Sequence, residues 1–326
     1  MRTLLIIFTV IVLGVLSGCA SVAEQKELFT VDFQQGQMLR YKFVSSRKID
    51  VNWNPTKTTA KPPKGRTGKS SESMEMVVAY TPVEVDPYGL TTIEATCESV
   101  RIRQSSDDGR PTVRRDAAQG FSGKTYRFTV GPTGKVEDYS QLDRLIREIG
   151  KKAFRSGGKT QRIKEPDMIS DFIATQWFLW DAISSIEKPA KGIGIGHSWS
   201  SKLSVPTPMV MRKARDVAYT LDEIRQGVQH RLAVIRSSYS LAESVPRSWP
   251  IPYSGRFQMS GRFGFLRGYK VLDLQGHGEE LFNIDAGRME RYNQQYKMLL
   301  EASYPMGLGG NPRITIDQKL TMQRLE

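Results

Sequence analysis

From residue 38 onward apolar and polar positions alternate. Leu39, Tyr41 and Phe43 are separated by Arg40 and Lys42, the period of two that predicts a half-buried strand. The pattern returns over 74–80, over 90–103 after the turn Asp86-Pro87-Tyr88-Gly89, and over 126–130 before the turn Gly131-Pro132-Thr133-Gly134. Connections this short leave no room for crossover helices, so the strands are expected to run antiparallel. The period then changes: Leu142, Leu145, Ile146, Ile149, Ala153 and Phe154 recur at three and four, with Ser140 as cap and Gly157-Gly158 as stop, which predicts a helix. A second helix is expected from Pro166 to before Pro189, with Ile169, Phe172, Ile173, Trp177, Trp180 and Ile183 on its apolar face. Strand patterns resume over 199–205, 216–224, 232–241, 257–273, 279–284, 289–304 and 314–320, with Asp285-Ala286-Gly287 as a tight hairpin loop. The expected class is therefore α+β: a predominantly antiparallel β-sheet with two amphipathic helices packed on it. Residues 31–190 would form a meander plus the helical pair, and 191–326 a further antiparallel region of the same or a second domain.

The first residues follow neither period. Residues 3–15 are almost wholly apolar, follow Arg2, and span about 20 Å as a helix, short of the roughly 30 Å hydrocarbon core of a bilayer. They end at Leu16-Ser17-Gly18-Cys19, which resembles the bacterial lipobox, so residues 1–18 read as a lipoprotein signal peptide. The resemblance implies a diacylglycerol thioether on Cys19, cleavage before it and acylation of the new amino terminus, by the lipoprotein processing and sorting machinery. Two or three acyl chains hold far better than one. Residues 19–30 would be the lipidated tether. Ala20 and Ser21 offer no acidic retention signal, so the periplasmic face of the outer membrane is the expected destination.

Removing residues 1–18 takes away Arg2 and no acid, so the formal charge of +13 becomes +12. Outside the cytoplasm a positive surface meets anionic lipid or cell-wall polymer, and nucleic acid is not an expected partner. Between residues 51 and 71 lie Lys57, Lys61, Lys64, Arg66 and Lys69 among prolines and glycines, with no acid. This basic loop is expected to be mobile and to bind an anionic surface. With Cys19 lipidated, Cys97 is the only thiol, so no disulfide can form.

Gly196-His197-Ser198-Trp199-Ser200 approaches the G-x-S-x-G nucleophile elbow, with Asp273 and His277 downstream; this is the alternative reading, a serine hydrolase centred on Ser198. An elbow needs a strand before its serine and a helix after it, whereas here glycines precede and a strand follows. Ser198 is thus expected to be non-catalytic and Trp199 to enter the core. The chain has three histidines, far apart, and no H-E-x-x-H, C-x-x-C or calcium-loop spacing, so neither a metal nor a cofactor is expected.

Several short motifs together carry a family resemblance: the early Gly36 to Phe43 strand, the Phe128 to Val136 strand and glycine turn, Pro189, and the stretch Ile195-Gly196-His197-Ser198-Trp199. With the lipobox they make the chain resemble a family of bacterial envelope lipoproteins whose members carry an acidic residue more often than histidine at the position of His197. The resemblance implies an envelope location and a β-rich body, and no activity. A curved sheet closed by two amphipathic helices also resembles the half-barrel lipoprotein carriers, which would set Trp177 and Trp180 against acyl chains, although tryptophans at helical spacing more commonly pack into the core on a sheet. The expected function is a non-enzymatic, lipid-anchored periplasmic protein with a binding or scaffolding role toward a lipid or another envelope component.

Changing Cys19 to Ala is expected to leave the precursor unprocessed. Intact-mass analysis checks this, and a Cys19→Ala protein trimmed to the mature mass would refute the lipobox reading.

Overall fold

The computed structural model describes residues 26–53, 68–106, 116–152, 161–163, 167–176, 178–209, 211–227, 230–253, 257–259, 261–304 and 310–326. The strands in chain order are β1 (Leu39–Asn52), β2 (Lys69–Val85), β3 (Thr91–Ser106), β4 (Thr125–Val130), β5 (Val136–Asp138), β6 (Gln161–Ile163), β7 (Ser198–Ser204), β8 (Ala214–Gln226), β9 (Arg231–Leu241), β10 (Phe257–Met259), β11 (Arg267–Asn283), β12 (Arg288–Ser303) and β13 (Arg313–Leu325). Eleven of them make one sheet, in the order β5-β4-β3-β2-β1-β13-β12-β11-β9-β8-β7, every neighbouring pair antiparallel; β6 and β10 form a separate parallel pair. The end strands β5 and β7 are not paired with each other, so the sheet is open. Its middle joins the first strand to the last, from Arg40 opposite Leu325 to Asn52 opposite Arg313, and residue 190 therefore marks no division of the sheet.

The α+β expectation is overturned by this single large sheet. Helices are short insertions on its core face: α1 (Ser140–Lys152), α2 (Ile169–Gln176), α3 (Asp181–Ser184) and α4 (Gly261–Phe265). α1 is amphipathic, burying Leu142, Leu145, Ile146 and Ile149, with the Asp138 carboxylate accepting from the Ser140 N–H at its start. The second expected helix is two pieces. In α2, Asp171, Phe172, Ile173, Ala174, Thr175 and Gln176 are all buried, so no polar face exists, and a turn at Phe178–Trp180 separates it from α3. The stretch 267–283, expected as two strands, is one continuous strand, β11.

Alternation along β1 buries Leu39, Tyr41, Phe43, Ser45, Arg47, Ile49 and Val51. Two members of this series are polar, and their partners come from the adjoining strands and from the layer above. The Arg47 Nη1 donates to Asp171 Oδ2 of α2 at 2.8 Å and its Nε to Glu72 Oε2 of β2 at 2.5 Å. Ser45 Oγ donates to Asp171 Oδ1 at 2.5 Å, and Gln318 of β13 donates to Ser45 Oγ at 2.8 Å. At the end of α2, Gln176 Oε1 accepts from the hydroxyls of Tyr80 and Tyr126. Phe172 stacks on Phe121 of the 3₁₀ turn Ala117–Phe121, ring centroids 3.7 Å apart. One short helix is thus held to four strands by polar bonds and to the rest of the layer by an aromatic contact.

Residues 27–36 form a strap across the end of the sheet where β1 begins. Glu27 pairs with Ile193, Val31 N–H donates to Pro132 O, Asp32 N–H to Gly287 O and Gly36 N–H to Pro82 O, while Phe29, Val31 and Phe33 are buried beneath. The expected tether to residue 30 is corrected: the folded body starts by Glu27, whose carboxylate pairs with Arg231 at 2.7 Å. Pro132 and Gly287 belong to turns six strand positions apart, yet they bond to adjacent residues of the strap. The sheet therefore curls around its core face at this end.

Removing one member of the buried Arg47–Asp171 pair leaves an uncompensated charge, at a cost of about 3–5 kcal/mol. Asp171→Ala and Arg47→Met are each expected to lower unfolding stability by that order in urea titrations, and the double variant by less than the two losses combined. Single losses below about 1 kcal/mol would contradict the pinning role.

Candidate functional site

Packed side chains leave the core layer only a pocket of about 100 Å³ beside Ile173, Phe178 and Trp249 among the described residues, and the larger accessible surface lies on the other face. Strand register sets two rows of side chains there. The first runs Arg103, Ser73, Ser46, Lys319, Gln295, His277 from β3 to β11, and the second Ser105, Ser71, Lys48, Asp317, Lys297, Gln275 across the same strands. These residues line a trough of about 980 Å³. Six strands at about 4.8 Å spacing extend roughly 24 Å, and the rows lie about 7 Å apart. A single trough lined from β3 to β11 requires the sheet to be concave toward solvent here, opposite to its curl under the strap; a twisted sheet bends both ways as a saddle.

The trough side chains are hydroxyls, amides and charges. Lys48, Arg103, Lys297 and Lys319 are exposed, none is in an ion pair among the described residues, and Asp317 is the one acid in the two rows. Ser71 and Ser105 hydroxyls lie 2.7 Å apart, and His277 Nε2 is 2.6 Å from the Gln295 amide nitrogen. Beyond β11 the rows continue in small or polar residues, Ser238, Ala218 and Ser200 in one and Ser240, Asp216 and Lys202 in the other.

Directly behind β11 and β12 the core face carries a second buried cation. The Arg215 guanidinium is sandwiched between the rings of Tyr239 and Tyr296, 4.5 and 4.6 Å from their centroids. Its Nη2 donates to Gln294 Oε1 at 2.6 Å, and Gln294 Nε2 donates to Glu280 Oε1 at 3.0 Å. Two glycines make the space: a Cβ on Gly276 would lie 2.4 Å from Tyr296 Cβ, and one on Gly278 would lie 2.2 Å from the Tyr239 hydroxyl. Burial pushes the Glu280 carboxyl up to about 8, with the charge of Asp181 adding to it, while the Gln294 hydrogen bond and Arg215 pull the other way. Asp181 itself, accepting from Tyr219 at 2.9 Å and Ser201 at 3.0 Å, is raised by burial to about 6.

Of the residues singled out in the sequence, Lys69 opens β2, with its ammonium 3.9 Å from Asp50 on the surface. Cys19, Lys57, Lys61, Lys64, Arg66 and Trp177 lie outside the described residues. Asn52 and Lys69, which flank the basic loop, stand at the opposite end of the sheet from the strap. Trp180 is 2% exposed and lies within 6.1 Å of the rings of Phe33, Tyr80 and Phe128, so it packs as core; the hydrogen of Gly134 faces it where a Cβ would sit 2.7 Å from Trp180 Cβ. Ser198 Oγ is bonded to Thr220 Oγ1 at 2.8 Å on β7, three strand positions or about 14 Å from β11, which carries Asp273 and His277. The three groups do not converge. Trp199, 7% exposed, turns inward and donates to Ala182 O at 2.8 Å. Cys97 is buried, and burial raises its thiol to about 12, which suppresses thiolate chemistry. Among the described residues no group of His, Cys, Asp or Glu is arranged to hold a metal, and no helix is long and apolar enough to cross a membrane.

No family model and no curated protein matches the chain. A structure of lipovitellin, described as showing lipid-protein interactions, aligns over 89% of this chain and 25% of its own, at 10% identity and a TM-score of 0.42, so the chain spans about a quarter of that protein's length. A mutant Rh. blastica porin aligns over 89% of this chain and 100% of its own, at 9% identity and a TM-score of 0.19. Neither score is high enough to define a shared fold or ligand.

Glu280 sets a pH dependence. Its folded value lies above the unfolded one, so the protonated carboxyl stabilises the fold fully below about pH 4.5 and this contribution is lost as pH rises to about 8, at up to about 1.4 kcal/mol per pH unit. Urea midpoints are expected to fall between about pH 5 and 8, and to fall less in Glu280→Gln. Equal slopes in the two proteins would contradict a buried, protonated Glu280.

Proposed function

We propose that this protein is a non-enzymatic binding protein, held by lipid on Cys19 at the periplasmic face of a bacterial envelope membrane, whose trough receives an extended anionic polar chain such as a phosphorylated or carboxylated glycan. The observation that carries the reading is the pair of rows on the solvent face: four cations against one acid, set among serines, glutamines and a histidine along roughly 24 Å. Closely spaced hydroxyls and amides match the hydrogen-bonding groups of sugars, and cations at intervals match charges that repeat along a polymer. The two rows would set hydroxyls, amides and charges against an acyl chain, which favours a polar chain as the ligand. The lipobox and the signal-like residues 1–18 support the anchor, and the early strand, glycine turn and Pro189 to Trp199 motifs support kinship with envelope lipoproteins. With an anchor at the periplasmic face of the outer membrane, cell-wall polymer lies within reach.

The test uses the soluble chain from Ala20 and fluorescent dextran sulfate as probe. Changing Lys48, Arg103, Lys297 and Lys319 together to Gln is expected to weaken binding at least about tenfold and flatten its salt dependence. Changing Lys135, Arg144, Lys151 and Lys152 to Gln removes the same charge elsewhere and is expected to leave binding within about twofold. Equal losses in both variants would show that net charge, and not the trough, binds the polymer.

A further inference from the structure

Among the described residues the large apolar side chains that remain most exposed are unevenly placed. Leu28 (58% exposed), Met38 (57%), Tyr88 (88%), Leu90 (41%) and Ile195 (57%) all lie at the strap end of the sheet, while Phe265 (38%) and Leu272 (37%) lie at the other. Leu28 is on the strap, Met38 closes it, and Ile195 follows Ile193, the residue bridged to Glu27. Tyr88 and Leu90 flank Gly89, whose Cβ position is 3.1 Å from Pro132, the residue that accepts the strap's Val31 N–H. Exposed apolar groups gathered mostly at one end of a basic protein, and most exposed there, mark a surface that is covered in use.

The chain that precedes the strap indicates what covers it. Six residues separate Cys19 from Lys26, a span of seven Cα–Cα steps with a reach of at most about 25 Å. The sheet is longer: the 14 residues of β1 extend roughly 45 Å from the strap to the far end. A lipid on Cys19 therefore brings the strap end, and not the basic-loop end, to the bilayer. Around the exit of the tether stand Lys26, Lys188 and Lys191, all exposed, with Glu187 the acid among them and Glu27 already paired with Arg231.

We infer that the strap end is a membrane-docking face, on which Leu28, Met38, Tyr88, Leu90 and Ile195 enter the headgroup region of a phospholipid bilayer and Lys26, Lys188 and Lys191 meet its anionic headgroups. Apolar side chains beside cations are the composition that binds at such an interface, and a tyrosine places its ring in the apolar zone and its hydroxyl at the wet one. The lipid on Cys19 is what selects this end, so to that extent the inference rests on the anchor. Docked in this way, the trough rows at Ser46 and Lys48 stand roughly 25 Å from the bilayer, open to polymer in the aqueous space.

The experiment places an environment-sensitive nitrobenzoxadiazole label on single cysteines introduced as Tyr88→Cys, Ile195→Cys and, as reference, Lys297→Cys; Cys97 is buried, and Cys19 is blocked by the proposed lipid in the full chain and missing from the chain that starts at Ala20. The full chain is reconstituted in vesicles of phosphatidylethanolamine and phosphatidylglycerol containing a headgroup nitroxide lipid. Quenching and a blue shift are expected at 88 and 195 and neither at 297; equal quenching at the three sites, or none at 88 and 195, would overturn docking. The chain from Ala20, added to the same vesicles, separates this from the anchor. A contrast between 88 and 297 that persists without lipid supports docking even if intact mass shows Cys19 unmodified, and a contrast absent in both forms overturns docking even if Cys19 is lipidated.

Discussion

A guanidinium at the middle of a sheet's buried face must be met by carboxylates, because the cost of desolvating it alone is several kcal/mol. Arg47 imposes that requirement. Glu72 on the neighbouring strand meets part of it, and Asp171 must come from the layer above, so the position of α2 on β1 is fixed by charge. Much else follows from that one placement. Phe172, next in sequence, stacks on Phe121, and Asp116, which accepts the Ala118 N–H at the start of that aromatic turn, also accepts the Met168 N–H just before α2. Arg215 repeats the logic on the other half of the sheet with aromatic faces and an amide relay in place of a direct carboxylate.

This polar bonding on the core face explains why helices so short can hold a sheet so large. It also leaves the opposite face to other uses. Long strands in strict register lay the same residue classes side by side across the sheet, so serines, glutamines and lysines that are scattered in sequence become two continuous rows. The saddle of the sheet then divides the molecule. Where it closes around the core, the strap and its apolar fringe sit; where it opens to solvent, the cationic trough lies. The two surfaces have opposite chemistry and stand far enough apart that a bilayer and a polar polymer can be engaged together.

The strands were legible one at a time, because alternation such as Leu39, Tyr41, Phe43 needs only local information. The class was not. Residues 169–183 have apolar spacing that fits an amphipathic helix, but the polar residues between them, Asp171, Thr175 and Gln176, are buried against the sheet, and only tertiary contacts reveal that. The same parity that buries Tyr41 and Phe43 continues through Ser45 and Arg47, a signal that could have exposed the charged core. The inward turn of Trp199 was readable from the glycines before it and the strand after it. The trough was invisible, since it depends on pairings such as Ser46 with Lys319 that no short-range pattern encodes. The conspicuous charge in the sequence is the basic loop, whose flanking residues, Asn52 and Lys69, leave the sheet at the end away from the strap.

The central claim, that the solvent face of the sheet is the binding face in its native setting, is tested most directly by lysine footprinting. Envelope fractions carrying the full chain are treated briefly with an acetylating reagent before and after a high-salt wash, and modification is read by peptide mass spectrometry. The account predicts that Lys48, Lys297 and Lys319 react slowly in the native envelope and become reactive after the wash, while Lys151 and Lys152 on α1 react equally in both. Trough lysines that react as fast as those on α1 before any wash would contradict it.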